Sequence, residues 1–551
     1  MPYNWENKDS IETDAHLKHI EQLGFEAGMN GLSKTHNPHK QGTSEHRHWW
    51  IGWQKANAEH INREELGEKC AVFGIYGKGL DVSRLSFFSL FALQHRGQES
   101  SGISVADGHG IGTHKDVGLV AQVYTEEAIQ SLQGHIAIGH NRYSTSEGTG
   151  LKHAQPVLVK NGLLALAHNG NLPSVKKLKE FLEAKDIGTE GHSDSELMAK
   201  ALGYYLEHGD SIKEAVIKSW SLFTGAFCLT ILTKDTLIAI RDAFGIRPLS
   251  MGKIHPVKSG ENGNLTAVND SGVVFASETC AFHTIGAKFE REINPGEMVI
   301  VDKNGVESIQ LETPKQKLDI FEFVYFARPD SQLLGKSVYE VRHNCGYRLF
   351  EECKIQADVV IPVPETAIPV ATGYSRASGI PLEMALIKNR YIHRTFIQPE
   401  QHSRELGVKM KLTPMPEIIN GKRVVLMDDS IVRGTTSRQI VKMLFEAGAK
   451  EVHMLISSPP VKYPDFYGID TPKQKDLIAA HKTVEQIREY LNATSLYYLS
   501  LDGLIKSTGL PQKMFCTSCF TGQYPIDLGE RKADITEPIY VKEPKPEGAL
   551  L

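Results

Sequence analysis

The stretch Arg423-Val424-Val425-Leu426-Met427-Asp428-Asp429-Ser430-Ile431-Val432-Arg433-Gly434-Thr435-Thr436 decides how the second half of the chain is read. Arg423–Met427 is a largely apolar run with two β-branched residues, which predicts a buried central strand. That strand delivers two adjacent acids, Asp428 and Asp429, to its carboxyl end. Gly434 follows, then Thr435 and Thr436 at a helix start. Glycine lets a ligand approach the backbone closely. Hydroxyls and free N–H groups at a helix N-terminus suit a phosphate. The two carboxylates would repel a phosphate, so they are expected to face sugar hydroxyls or Mg²⁺. The helix after Thr436 puts Ile440, Val441, Leu444 and Phe445 on one face and stops at Ala447-Gly448.

Outward from this stretch, apolar runs alternate with helical patterns over residues 316–530: Asp358–Val363, Leu382–Ile387 and Glu451–Ser457 are further strands. Such alternation predicts an α/β domain with a parallel sheet and ligands at the carboxyl ends of its strands. Residues 70–315 read differently. Short strands such as Cys70–Tyr76, Gly102–Ala106, Leu163–Ala167, Ala226–Leu232, Leu237–Ile240, Val273–Ala276 and Glu297–Val301 are separated by turn signals. Helical stretches at Val82–Leu93 and Asp194–Glu207 interrupt them, which predicts a sheet-rich α+β domain. Residues 1–69 hold Trp5, Trp49, Trp50 and Trp53 and read as a small helical hairpin. Residues 531–551 form a tail whose last residues, Val541–Leu551, are rich in Pro, Glu and Lys.

Composition sets the outer bounds. The chain has 551 residues, 41% of them hydrophobic and 23% charged, with a net charge of −5. These are ordinary globular values and give no reason to expect nucleic acid or anionic membranes as partners. No apolar run approaches the roughly 18 residues of a membrane span, and the N-terminus has no apolar signal region. Seven cysteines are sparse for this length and suggest a reducing, cytoplasmic compartment.

The nine residues Asp428 to Thr436 resemble the phosphoribosyl pyrophosphate (PRPP) motif of type I phosphoribosyltransferases, in the form seen in amidophosphoribosyltransferases. Lys388-Asn389-Arg390-Tyr391-Ile392-His393-Arg394-Thr395-Phe396-Ile397 is similar to that family's loop over PRPP. Pro362-Val363-Pro364-Glu365-Thr366 is similar to its earlier strand-end segment, with Ala367 where the family often has a metal-linked Ser. The resemblance implies a PRPP site built from Asp428, Asp429, Ser430, Arg433, Gly434, Thr435, Thr436, Lys388 and Arg394. Mg²⁺ would sit at Asp428 and Asp429.

In the first half, Cys70-Ala71-Val72-Phe73-Gly74-Ile75 is followed in order by four further segments. They are Gln94-His95-Arg96-Gly97-Gln98-Glu99, Gly139-His140-Asn141-Arg142-Tyr143-Ser144-Thr145, His168-Asn169-Gly170-Asn171-Leu172 and Ser193-Asp194-Ser195-Glu196. The series resembles the class II, N-terminal-nucleophile glutamine amidotransferases, whose fold is an αββα sandwich. The resemblance implies that Cys70 attacks glutamine, with the Asn169 side chain and the Gly170 N–H as oxyanion donors. Arg142, with Thr145 nearby, would hold the substrate carboxylate and Asp194 its ammonium. In that family the general base is the α-amino group of the nucleophile itself. A free α-amine has a pKa of about 7.7–8.0 and suits proton transfer near neutrality; a peptide nitrogen does not. The 69 residues before Cys70 must therefore be removed at Lys69–Cys70, and Glu64-Glu65-Leu66-Gly67-Glu68-Lys69 is similar to a short propeptide of the family.

Two features stand apart. Gly24–Lys34 and Trp49–Ala56 resemble the ribosome modulation factor family, small ribosome-binding proteins. Residues 1–69 carry 8 Lys/Arg against 11 Asp/Glu, whereas an RNA-binding module is expected to be basic, so a propeptide or docking role is favoured. Cys516-Thr517-Ser518-Cys519 has a spacing typical of metal or redox sites. Some amidophosphoribosyltransferases carry a 4Fe–4S cluster on four cysteines, which implies a cluster here on Cys280, Asp465, Cys516 and Cys519, with Asp465 in place of one thiolate. Cys228, Cys345 and Cys353 read as core.

The reading is an amidotransferase making 5-phosphoribosylamine, pyrophosphate and glutamate from PRPP, glutamine and water, the first step of purine synthesis. The family implies a homo-oligomer inhibited by purine nucleotides. Other class II amidotransferases, making glucosamine phosphate or asparagine, are disfavoured by the PRPP loop. The alternative from another class is a ribosome-associated regulator with an inactive enzyme body.

Overall fold

The computed structural model describes residues 70–143, 151–255, 257–259, 265–267, 272–389, 411–468 and 473–536, with scattered positions before residue 70. Thr145, Arg394, the propeptide-like segment and residues 537–551 of the C-terminal tail lie outside the described residues. So do most positions of the tryptophan-rich extension, where Ile20 and Trp49 are buried against one another.

Two antiparallel sheets stack face to face in the first half. One runs in the order Lys288–Glu292, Ser250–Ile254, Gly272–Ala276, Ala71–Tyr76, Ile136–Arg142, Ser100–Ala106, Ile111–Val117. The other runs Gly305–Gln310, Glu297–Asp302, Leu237–Arg241, Ala226–Leu232, Leu164–Asn171, Val157–Val159. Strand alternation explains the layering. In Ala71–Tyr76, Ala71, Phe73 and Ile75 face the helices Val82–Ala92 and Cys280–Ile285, while Val72 faces the second sheet. In Leu164–Asn171, Ala165 and Ala167 face the first sheet. Leu164 and Leu166 meet helices Lys176–Glu183, Asp194–Glu207 and Ile212–Ser219 on the other side. Helices thus cover both outer faces, giving the αββα sandwich that the sequence predicts.

The second half carries a parallel sheet in the order Val359–Pro362, Arg423–Asp428, Glu451–Ile456, Ser495–Tyr498. The strand Arg423–Asp428 is central and covered on both faces, as its unbroken apolar run requires. Val425 and Met427 pack towards helices Val338–Glu352 and Ile368–Ser378. Val424 and Leu426 pack towards helices Thr435–Glu446 and Val484–Leu491. Cys228, Cys345 and Cys353 are buried. Among the described residues, no helix is long and apolar enough to cross a membrane.

The halves meet through buried charge. Arg96 ion-pairs with Glu278 of its own half and, at 2.9 Å, with Glu322 of the other. Arg247 pairs with Asp319 and Glu322, both at 3.1 Å. All these side chains are essentially inaccessible to water. Charges so buried persist only when paired, so the pairs fix how the two halves sit together.

Candidate active sites

Cys70 lies half-buried at the head of its strand. Its carbonyl accepts from Arg96 Nε at 3.4 Å. Burial pushes the thiol pKa up; the Tyr143 backbone N–H and the Arg142 charge oppose this, while Glu99 and Asp194 add to it. Arg142, Asp194 and Glu99 are thus the charges that act on the Cys70 thiol. They reach it from separate elements: Arg142 from the strand Ile136–Arg142, Asp194 from a helix start, and Glu99 from the loop before Ser100.

Asp194 is held firmly. Ser193 caps the helix Asp194–Glu207 with a reciprocal Ser193–Glu196 box. The Asp194 carboxylate accepts from the N–H of Ser195 at 2.6 Å and of Leu172 at 3.1 Å. Burial acts to raise its pKa, but His168 and these N–H groups outweigh it and leave the carboxyl below its ordinary value. It stays an anion, as an ammonium partner requires. Arg142 pairs with Glu99 at 3.0 Å, so a substrate carboxylate would share the guanidinium with Glu99. Glu99 belongs to a segment used for the family resemblance, but its pairing with Arg142 was not legible from the sequence.

Asn169 and Gly170 lie on Leu164–Asn171. The Asn169 side-chain N–H₂ donates to Ser277 Oγ at 3.4 Å, and Ser277 Oγ accepts from Val72 N at 2.9 Å. This chain of bonds brings Asn169 alongside the strand that carries Cys70. Gly170 sits so close to the neighbouring strand that an added Cβ would lie 2.0 Å from the Ala226 carbonyl oxygen.

In the other half, Asp428 and Asp429 end the central strand, both largely buried. Ser430 Oγ donates to Asp429 at 2.6 Å, and the Thr366 hydroxyl donates to the second Asp429 oxygen. Thr366 therefore ties the Pro362–Thr366 segment to the acid pair, next to Ala367. Gly434, in the left-handed region at φ +78°, starts the helix that begins at Thr435-Thr436. Arg433 lies 3.8 Å from Asp476. Lys388 is exposed at the end of a short hairpin strand, Leu386–Lys388. The oxygen-only donors of Asp428 and Asp429 suit Mg²⁺. Arg342 is buried nearby, with Asp429 among the charges acting on it. It donates to the carbonyls of Phe323 and Ala327, both at 2.8 Å.

The four expected iron–sulfur ligands, Cys280, Asp465, Cys516 and Cys519, come from separate elements. Cys280 begins the helix Cys280–Ile285, and the groups acting on its thiol are Glu278, Ser331, Arg328 and Asp330. The partner facing Cys516 is instead Asp319, paired in register through the parallel bridge of Leu318–Asp319 with Phe515–Cys516. Burial first, then the Asp319 and Asp465 carboxylates, push the Cys516 thiol up to about 12 and raise Cys519 as well. Arg247 lies against both carboxylates, 3.1 Å from Asp319 and 4.0 Å from Asp465. Among the described residues, no group of three or more His, Cys, Asp or Glu is placed to hold a metal ion.

Comparison with known proteins agrees with both halves. A glutamine amidotransferase domain profile matches residues 140–284 and a phosphoribosyl transferase domain profile matches residues 335–459. The amidophosphoribosyltransferase of Synechococcus elongatus is 47% identical, covering 84% of this chain and 92% of its own. The chain belongs to the amidophosphoribosyltransferase family. The Bacillus subtilis amidophosphoribosyltransferase is 43% identical over 84% of this chain and 95% of its own. Among solved structures, one described as the allosteric regulatory enzyme of purine biosynthesis matches with a TM-score of 0.76 and 43% identity. It covers 83% of this chain and 97% of that one. The B. subtilis glutamine PRPP amidotransferase, described as complexed with ADP and GMP, matches with a TM-score of 0.75 and 42% identity. It covers 83% of this chain and 98% of that one.

Proposed function

We propose that this amidophosphoribosyltransferase releases ammonia from glutamine at Cys70 and transfers it to PRPP at Asp428–Thr436, forming 5-phosphoribosylamine, pyrophosphate and glutamate. The observation that carries the site reading is the convergence of Arg142, Asp194 and the Tyr143 N–H on Cys70. Arg142 binds the glutamine α-carboxylate and Asp194 its ammonium, so the side-chain amide is presented to the thiol. Thr145 is assigned to glutamine binding together with Arg142. Cys70 Sγ attacks the amide carbon, and its proton passes to the Cys70 α-amine and on to the leaving nitrogen. Asn169 and the Gly170 N–H take the charge of the tetrahedral oxyanion, where fixed donors have most effect. Ammonia leaves, and water hydrolyses the thioester to glutamate. The α-amine exists only after residues 1–69 are removed, so the extension is read as a propeptide or docking element. This reading disfavours a ribosome-binding role.

At the second site, the N–H groups and hydroxyls of Gly434, Thr435 and Thr436 bind the 5-phosphate. Ser430, Arg433 and Lys388 are assigned to the PRPP oxygens, and Arg394 is assigned there by its sequence segment. Asp428 and Asp429 would hold the ribose hydroxyls and Mg²⁺; Mg²⁺ supplies charge neutralisation on the pyrophosphate. Ammonia attacks C1 of PRPP and pyrophosphate leaves. Free ammonia at neutral pH is mostly protonated and unreactive, so internal passage between the sites is part of the reading. Purine nucleotide inhibition and a homo-oligomer complete it, the former supported by the ADP and GMP in the B. subtilis relative.

The test is glutamate release from glutamine with and without PRPP. PRPP is expected to stimulate release, with one pyrophosphate formed per glutamate. No release by protein from which residues 1–69 have been removed would favour the regulator reading instead.

A further inference from the structure

The segment Asp465-Phe466-Tyr467-Gly468 belongs to the second half of the chain yet lies against the oxyanion strand of the first. Asn171 Nδ2 donates to the Phe466 carbonyl at 2.8 Å. A Cβ built on Gly468 would lie 3.0 Å from both the Cα and the carbonyl carbon of Gly170. Gly468 also has φ +107°, a conformation that side chains rarely adopt. On its other side, Gly170 is closed off by the Ala226 carbonyl. Gly170 is thus held between two backbones, one from each half of the molecule.

The clamping segment cannot easily withdraw. Arg247 Nε donates to the Tyr467 carbonyl at 3.0 Å. The Tyr467 N–H donates to Asp465 Oδ1 at 2.8 Å, and the Tyr467 hydroxyl donates to the Ile526 carbonyl at 2.7 Å. Arg247 is itself fixed by Asp319 and Glu322. Tyr467 is fully buried.

We infer that Gly468 is a positioning residue for glutamine hydrolysis: it sets the place of the Gly170 N–H by direct backbone contact from the phosphoribosyltransferase half. The inference rests on the assignment of Gly170 as an oxyanion donor. An oxyanion donor acts only when aimed at where the charge develops, and small misplacements at a reacting centre cost rate steeply. A side chain at Gly468 would displace Gly170 by a few tenths of an ångström without touching the glutamine-binding groups Arg142 and Asp194.

The experiment compares Gly468→Ala with Gly421→Ala in the purified enzyme. Gly421 has φ +74° in the same half, but open space where a Cβ would go. Gly468→Ala is expected to lower kcat for glutamine hydrolysis about 10- to 100-fold. KM for glutamine, ammonia-dependent synthesis and the rate of Cys70 alkylation by iodoacetamide should each stay within about threefold. Gly421→Ala should leave the ratio of glutamine-dependent to ammonia-dependent activity unchanged. An unchanged kcat, a rise in KM alone, or a parallel loss of ammonia-dependent activity would overturn the inference. If Gly468→Ala does not fold, Asn171→Ala, which releases the Phe466 tether, should lower kcat several-fold at constant KM; no change there overturns it equally. Asn169→Ala separates this from the underlying assignment. Loss of about 10²-fold or more is expected for it, and without that loss the oxyanion assignment falls first.

Discussion

Cys70→Ala is expected to abolish glutamine-dependent synthesis of phosphoribosylamine, by at least about 10³-fold, while ammonia-dependent synthesis stays within about twofold. The asymmetry follows from where Cys70 sits. It heads a strand of the first sandwich and is half-buried, so removing one sulfur costs little packing. Arg142 and Asp194 depend on Glu99, Leu172, Ser195 and His168 for their positions rather than on the thiol. The variant should therefore still bind glutamine, which titration calorimetry can measure. The phosphoribosyltransferase sheet lies in the other half and supplies its own ligand groups. Equal loss of both activities would mean that Cys70 is structural.

Asp429→Asn produces the complementary pattern. Both nitrogen sources should lose at least about 10²-fold in phosphoribosyl transfer, whereas glutamine hydrolysis without PRPP should be retained. The substitution preserves shape and leaves one oxygen to accept from either Thr366 or Ser430, the other hydroxyl then facing the amide N–H₂. It removes a negative charge beside buried Arg342, whose pKa burial lowers to about 10, with Asp429 the first of the charges opposing that shift. Some loss of thermal stability is expected alongside the kinetic effect, because a buried cation loses a compensating charge. The kinetic assignment is therefore read at a temperature well below unfolding. Normal ammonia-dependent activity in Asp429→Asn would contradict the PRPP assignment.

Much of this was legible in the sequence because it was written locally. Arg423–Met427 is continuous and apolar because both faces of its strand are covered. Leu164–Asn171 alternates because small Ala165 and Ala167 face a sheet while Leu164 and Leu166 face helices. The Ser193–Glu196 capping box marks the helix that presents Asp194. Long-range pairings were not legible. Cys280 fitted a family pattern, yet nothing near it in sequence reports that Asp319 pairs with Cys516 across the fold. One signal was available and unused: Glu322 is a lone acid within the otherwise apolar run Ile320–Phe326. A carboxylate placed there must find buried cations, and it finds Arg96 and Arg247. The clamp on Gly170 left no comparable trace, since glycines carry no pattern that names their neighbours.

Arg142 and Asp194 act on the Cys70 thiol, and the proposed base for that thiol is a free α-amine. The intact mass of purified enzyme active with glutamine therefore tests the account most directly. The account predicts a chain whose first residue is Cys70, with glutamine-dependent activity absent from any fraction that retains residues 1–69. Full glutamine-dependent activity in a chain still carrying those residues would contradict it.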